Sequence, residues 1–333
     1  MRLHTPICDL LGCTYPVLQA GMGGVARSEL AAAVSQAGGF GCLGMVRESP
    51  ALIQSEIEAV RARTDRPFGV NLIPSATEPG LFQRELAACI EAGVTTMVYF
   101  WDIVPDAIAR AKDAGMRVLY QVGSVEDARA AEKAGADAII AQGVEAGGHV
   151  KGGVTSLVLL PVVASAVGIP VVGSGGFASG GSLVAALALG AQGIHCGTAY
   201  LATRESFAHD LHKQRVIGAE IDQTVHTDAY AINWPKGSPV RVLANDMTES
   251  LGLNLFGHDP ETMSNRPIAE EEGRPLYLWS TDSPLRNMTG ELDRLALFAG
   301  QVAGQIDRIE TAGELTARIV REAEETLGNL AAS

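Results

Sequence analysis

Cysteine is scarce in this chain, and what there is forms no pattern. Cys8, Cys13, Cys42, Cys89 and Cys196 are spread over 333 residues; the count is odd and no two stand in CxxC spacing. That argues against a disulfide framework and a structural zinc site, and favours a reducing compartment. No apolar run reaches the length of a transmembrane helix, and the opening stretch MRLHTPICDLLGC carries no hydrophobic region of signal-peptide length. A soluble cytoplasmic protein is expected. Positive charge is also short, with 25 Lys and Arg against 38 Asp and Glu, a formal net charge of −13. Such a surface repels phosphate backbones and anionic lipid, so neither a nucleic acid nor a membrane is expected as partner. No metal site is expected either. The HxxH pair His209 and His212 lacks a third ligand, and its segment reads as a surface helix.

What is abundant is short apolar runs at a regular beat. They fall at 16–22, 39–45, 68–73, 95–101, 117–122, 138–143, 170–176 and 193–199. Runs with little alternation suit strands buried on both faces, as in a parallel sheet. Helix-like segments lie between them. Several begin near Ser, and four end in Ala–Gly (37–38, 92–93, 114–115, 134–135), the expected caps. Eight strand–helix units predict a (β/α)8 TIM barrel over residues 1–203; an open doubly wound sheet is the alternative. From 204 the beat stops. Residues 204–289 are polar and richer in Pro, Asn and aromatics, which predicts an added smaller, partly helical lobe. The stretches 290–310 and 314–329 regain helical periodicity, so C-terminal helices over 290–333 should pack back on the barrel.

Site-like sequence clusters where the strands end. The seventh run leads into GSGGFASGG, and its glycines, followed by a helix start near Ser182, predict an anion cradle of bare backbone N–H groups beside Ser174. Gly197 and the Thr198 hydroxyl, after the eighth run, complete it where barrels place phosphate. The first run ends QAGMGG, where glycines permit close backbone approach to a flat ligand. Asn71, Gln121 and Gln142 end the third, fifth and sixth runs, and amides can pair with either edge of a heterocycle. After Gln142 comes the loop GVEAGGHVKGG, in which Gly147 and Gly148 leave room for a substrate to approach His149. A histidine on a ligand-side loop, with an unperturbed pKa of about 6.5, suits proton transfer near neutrality. His195 and Cys196 alternate within the eighth run, and the sequence leaves open which of them faces the barrel interior.

The segments AQGVEAGGHVKG, GSGGFASGGSLVAALALGAQGIHCGTAYLATRES, QAGMGG with ELAAAVSQAGGFG, and DRPFGVNL together resemble the nitronate monooxygenase family over nearly all of 14–206, and LFAGQVAG (297–304) resembles its late motif. The resemblance implies a TIM barrel that binds FMN without a covalent link, the smaller lobe covering the flavin. By position it implies that Gly21, Met22 and Gly23 lie along the flavin with Asn71 near its ring, that Gly148 contacts it, that Gly175, Gly176, Gly197 and Thr198 hold the phosphate, and that His149 transfers protons. Gln121 stands where a basic residue is common in the family and Gln142 where an acidic one is; both are counted among the flavin-facing residues.

The activity so implied is oxidation of an alkyl nitronate, with O2 as acceptor, to a carbonyl compound and nitrite. His149 would hydrogen-bond the nitronate or deprotonate a neutral nitroalkane. One alternative keeps the barrel and lets NAD(P)H reduce FMN, which then reduces a quinone or an enoyl thioester. Another is a flavin-binding protein without turnover. A homodimer is compatible with all three. Among the lobe's aromatic residues, Tyr230 and Trp234 are the candidates for pocket wall.

Overall fold

The computed structural model describes residues 3–332. Eight short parallel strands form one sheet: β1 (Val17–Gln19), β2 (Gly41–Gly44), β3 (Phe68–Leu72), β4 (Thr96–Phe100), β5 (Arg117–Val122), β6 (Ala138–Gln142), β8 (Val171–Ser174) and β9 (Ile194–Cys196). The missing number, β7 (Gly148–His149), lies outside this sheet, in the loop after β6. The order β1-β9-β8-β6-β5-β4-β3-β2 returns to its start. Gln19 N–H donates to Phe40 O and Phe40 N–H to Val17 O, both at 2.9 Å, which closes the barrel.

The helices between strands start and stop as their sequences direct. Ser49, Ser124 and Ser179 each accept the backbone N–H of the third residue of the helix that follows. Gly38, Gly93, Gly115 and Gly135 end four helices at positive φ, a conformation open to glycine at no steric cost. The helix Pro6–Leu11 plugs the floor of the barrel. Its Ile7, Cys8 and Leu11 pack with inward-facing Leu18, Cys42, Val98, Leu119, Ile140 and Val172 into one buried cluster.

Past β9 the chain makes a four-residue helix (Thr198–Leu201) and enters the lobe. Helices there are few, Asp210–Ile217 and Asp246–Ser250, and short antiparallel strands prevail. β10 (Thr224–Thr227) and β11 (Val240–Leu243) form a sheet with β7, in the order β10-β11-β7. A second sheet joins β12 (Pro267–Glu271), β13 (Arg274–Tyr277) and β14 (Met288–Gly290). The acidic AEEEGR stretch is the β12–β13 hairpin, turning at Glu272 and Gly273, both at positive φ. The lobe has its own buried cluster, which includes Tyr230, Trp279, Leu276 and Leu297.

Two sequence expectations give way here. The periodicity over 290–310 does not produce an α-helix: after β14 the chain makes only 3-10 turns at Leu292–Arg294 and Gln301–Gln305. Its glycines explain why. A Cβ on Gly300 would meet Glu145 O at 2.8 Å, and one on Gly304 the Ile221 backbone at 2.6 Å, so this segment threads tightly between neighbouring segments. The HxxH segment is not a surface helix either. His212 is fully buried, its Nε2 3.1 Å from Phe298 O and its Nδ1 3.3 Å from Ser283 Oγ, while His209 caps the helix by accepting Leu211 N–H. Among the described residues the one long C-terminal helix is Ala312–Ala332; it packs between Gly180–Ala188 and Ser28–Gln36, where the eighth barrel helix belongs.

Candidate active site

Strand alternation builds the site directly above the barrel core. Side chains two apart on a strand share a face. Two residues on from inward-facing Val98, Leu119, Ile140 and Val172 stand Phe100, Gln121, Gln142 and Ser174, and these line a cavity of about 800 Å³. His195 pairs with inward-facing Leu18 and lines the same cavity, while Cys196 is buried with the barrel helices. The side left open by the sequence is thereby fixed. His195 Nδ1 lies 3.2 Å from Ser174 Oγ, its Nε2 is buried without a partner, and burial lowers its pKa to about 4. It is therefore neutral at physiological pH.

All thirteen residues singled out from the sequence border this one cavity: His149, Gly21, Met22, Gly23, Asn71, Gln121, Gln142, Gly148, Ser174, Gly175, Gly176, Gly197 and Thr198. Their local duties differ from expectation in places. Gln142 spends its amide on the histidine loop, donating to His149 O at 2.9 Å and accepting Lys151 N–H at 3.3 Å. Asn71 Nδ2 donates to Val98 O at 3.0 Å, leaving its carbonyl oxygen available, and the Gln121 amide makes no hydrogen bond among the described residues. Gly21 is required by Asn71, whose Cβ would sit 2.3 Å from an added Cβ. Gly147 is required by Ala299 and Gly300, whose backbone a Cβ would strike; only Gly148, at φ +74° with open space around it, clears the approach to the histidine.

His149 occupies the seam between barrel and lobe, because β7 pairs antiparallel with β11, His149 opposite Val240. Its ring stacks on Trp234 at 3.4 Å between centroids and 24° between planes, with Phe298 5.8 Å and Trp101 5.9 Å away. Its Nε2 is sealed from water and has no hydrogen-bond partner among the described residues. Burial first, and the positive charge of Arg47 second, hold its pKa well below the usual 6.5. A neutral imidazole with an unused Nε2 can accept a proton or exchange a hydrogen bond with a bound molecule.

The anion cradle is narrower than the glycine-rich sequence predicts. The helix after β8 starts at Gly180, near Ser182 as expected, but its first N–H donates to Glu322 Oε2 at 2.9 Å. A carboxylate already occupies that terminus, and a Cβ on Gly180 would strike Ala323; Gly180 serves helix packing. Gly175 and Gly176 remain, at φ +92° and +79°, their N–H groups without a backbone or side-chain acceptor among the described residues. Thr198 Oγ1 accepts Gly300 N–H at 2.9 Å, so its own proton is free to donate outward.

At the rim stand residues that sequence reasoning missed. Arg47, at φ +60°, donates Nε and Nη2 to Ala76 O (3.0 and 2.8 Å) and Nη1 to Asn233 O, and lies 5.2 Å over Trp234. It forms no ion pair with a carboxylate among the described residues, whereas Arg274, also on the cavity, pairs with Glu271 at 2.6 Å and Asp282 at 3.1 Å. Nothing in the sequence around Arg47 signals this role. Phe298 and Gly300 also border the cavity, from within LFAGQVAG. Of the two lobe aromatics, Trp234 lines the cavity, and Tyr230 is core, fully buried with its hydroxyl 3.2 Å from Asn245 Nδ2.

A family model described as nitronate monooxygenase matches residues 4–322. The chain belongs to the nitronate monooxygenase family. Like other members it is a flavin-dependent oxidoreductase. It is 35% identical, over 97% of each chain, to a Mycobacterium tuberculosis protein named (3aS,4S,5R,7aS)-5-hydroxy-7a-methyl-1-oxo-octahydro-1H-indene-4-carboxyl-CoA dehydrogenase. It is 30% identical to the nitronate monooxygenase of Paraburkholderia phytofirmans, over 97% of this chain and 96% of that one. The solved structure of FabK from Thermotoga maritima superposes with a TM-score of 0.83 at 33% identity, covering 99% of both chains. No helix among the described residues is long and apolar enough to cross a membrane.

Proposed function

We propose that this member of the family oxidises alkyl nitronates with O2 to a carbonyl compound and nitrite, using FMN. The observation that carries the reading is the tier His149–Trp234–Arg47 at one wall of the cavity: a neutral imidazole with an unused nitrogen, stacked beneath a ring that carries a guanidinium in no ion pair among the described residues. A nitronate concentrates negative charge on two oxygens, which Arg47 and the Gln121 amide would receive. His149 serves as base toward the neutral nitroalkane.

The residues present fit FMN. Gly175, Gly176, Gly197 and the Thr198 hydroxyl would hold a single phosphate; Gly21, Met22, Gly23, Asn71, Gln121 and Gly148 would face the ring; His195 Nε2, buried and without a partner, would meet a polar atom of it. When bound, the flavin supplies the electron acceptor for substrate oxidation. The chain's own residues orient the substrate, neutralise its charge and exclude water. One phosphate cradle without a second glycine-rich site for an adenylate favours FMN over FAD. Mass spectrometry of the released chromophore tests this, and FAD or no flavin would overturn it.

A second reading takes a CoA thioester as substrate, and likeness to the CoA dehydrogenase over 97% of each chain favours it. Anaerobic mixing separates the two. Bleaching of the flavin by a nitronate supports the first reading. Bleaching only by NAD(P)H, or by an acyl-CoA, moves the assignment to thioester or quinone chemistry, and no bleaching by any donor leaves a binding protein.

A further inference from the structure

The helix Pro79–Glu91 buries Phe82, Glu85, Leu86 and Cys89, the i, i+3, i+4, i+7 stripe of a core-facing surface. An acid is out of place there. Glu85 is fully buried, the one glutamate so placed among the described residues, and neither of its carboxyl oxygens has a hydrogen-bond partner among them. Acidic side chains are almost never fully buried unless paired, so this one needs a reason. Its surroundings narrow the choice. The helix Pro50–Arg61, packed alongside, sends it no charge: Glu56 accepts Ser28 N–H, Arg61 donates to Gly93 O, and Glu58 is exposed. Strand β3 beneath contains no titratable residue. Cys89, one turn on, is a neutral thiol, pushed up to about 12 by burial first and by Glu85 second. What remains is Arg47 and Glu48, on the rim of the cavity.

Arg47 stands at φ +60°, a conformation that favours glycine and costs other residues energy. Its N–H finds no backbone acceptor among the described residues, and Glu48 N–H reaches Met45 O only at 3.4 Å. Two successive N–H groups at a left-handed residue make a concave receptor for an anion. Glu85 lies before it. Burial pushes the Glu85 carboxyl up to about 7, the N–H groups of Arg47 and Glu48 pull the other way, the Glu48 carboxylate adds to the rise, and the Arg47 guanidinium opposes it. The far end of Arg47 is already tied, to Ala76 O and Asn233 O, with its guanidinium over Trp234. Its backbone end has only Glu85 to hold it.

We infer that Glu85 is the positioning residue of Arg47: as a carboxylate it draws in the N–H groups of Arg47 and Glu48 and keeps the guanidinium over Trp234, and on taking up a proton it lets them go. Hydrogen bonds to a charged acceptor are roughly twice as strong as those to a neutral one, so the grip follows the charge. The cavity rim is then firm above about pH 7 and loose below it. The consequence for substrate rests on the reading that Arg47 receives an anion; the grip on Arg47 does not.

Two measurements on the purified holoprotein test this and keep the two questions apart. The first is tryptophan fluorescence across about pH 6–8, either side of the Glu85 midpoint. Wild type should show a transition near the middle of this range, and Glu85→Gln and Trp234→Phe should both lack it. Glu85→Met, of similar size and neutral, repeats the comparison should Glu85→Gln fold poorly. The second is calorimetric titration with sodium nitrite, an anion throughout the range. Wild type should bind it about threefold or more weakly at the acid end than at the alkaline end, and Glu85→Gln should bind weakly at both. Added to Arg47→Ala, Glu85→Gln should change the affinity no further, because it acts through Arg47. A wild type without the fluorescence transition, or a Glu85→Gln variant that keeps it, overturns the inference. So does tighter nitrite binding at the acid end, which would make Glu85 only a negative charge acting through space. If nitrite binds no form of the protein, the reading of Arg47 as anion receptor falls, and the fluorescence decides Glu85 alone.

Discussion

Two adjacent layers of the same barrel have opposite chemistry. The lower is Val98, Leu119, Ile140 and Val172, sealed beneath by the N-terminal helix; the upper, one pleat higher on the same four strands, is Phe100, Gln121, Gln142 and Ser174, with His195 beside them. Two residues of strand span about 6.6 Å. Over that distance the environment passes from a packed core that tolerates no unpaired polar atom to a cavity wall that offers amides and imidazoles. Backbone pairing continues across the boundary, so the strands hold the upper layer as rigidly as the lower. Stability and chemistry are thus written on alternate residues of one strand, and a substitution reports which layer it struck.

The largest effect should come from moving the boundary down. Leu119→Asn places an unpaired amide in the apolar layer and leaves a void, and should cost roughly 3–5 kcal/mol, read as a fall in the urea midpoint. Gln121→Leu, two residues along, should leave the midpoint nearly unchanged while turnover drops; equal destabilisation by both would erase the distinction between layers. Gly176→Asp comes next. At φ +79° an aspartate is strained, and its carboxylate would repel a phosphate. The variant should purify without flavin, which its absorbance spectrum will reveal.

His149→Asn should keep the flavin and slow the neutral nitroalkane by about 10²–10⁴-fold, with a smaller loss for pre-formed nitronate, which needs no deprotonation. Paired steady-state rates check this, and equal losses would remove His149 as base. The smallest effect is on the acid limb of stability. Burial lowers the folded pKa of His195 to about 4, so below its unfolded value of about 6.5 the unfolded chain binds the proton more readily. Its contribution is present above about pH 6.5 and is lost as pH falls toward 4. His195→Gln should flatten that limb in denaturation curves taken across this window. His212, also lowered to about 4 but buried in the lobe, should behave alike in stability and not in turnover.

The barrel and its mouth were legible because both repeat. Apolar runs, serine caps and Ala–Gly stops recur with each strand–helix unit, and any residue ending such a run points at the mouth or next to it. His195 needed register: only its pairing with Leu18 tells which face it takes. Arg47 was out of reach, and Trp234 was a candidate for the pocket wall but its stacking was not legible, since the meeting of both with His149 joins three segments far apart in the chain. The periodic stretch 290–310 misled because apolar spacing alone ignores Gly300 and Gly304, which are fixed by neighbouring backbone rather than by helix geometry.

The eighth helix position has a consequence for how the molecule comes into being. The flank between Ser28–Gln36 and Gly180–Ala188 is covered by Ala312–Ala332, a segment made more than a hundred residues after the barrel strands it shelters. At typical synthesis rates that delay is on the order of ten seconds. Throughout it a nascent barrel shows water one bare apolar side, and the lobe emerges and must fold before the side can be covered. Until that helix emerges, the flank is apolar surface that the finished fold keeps from water.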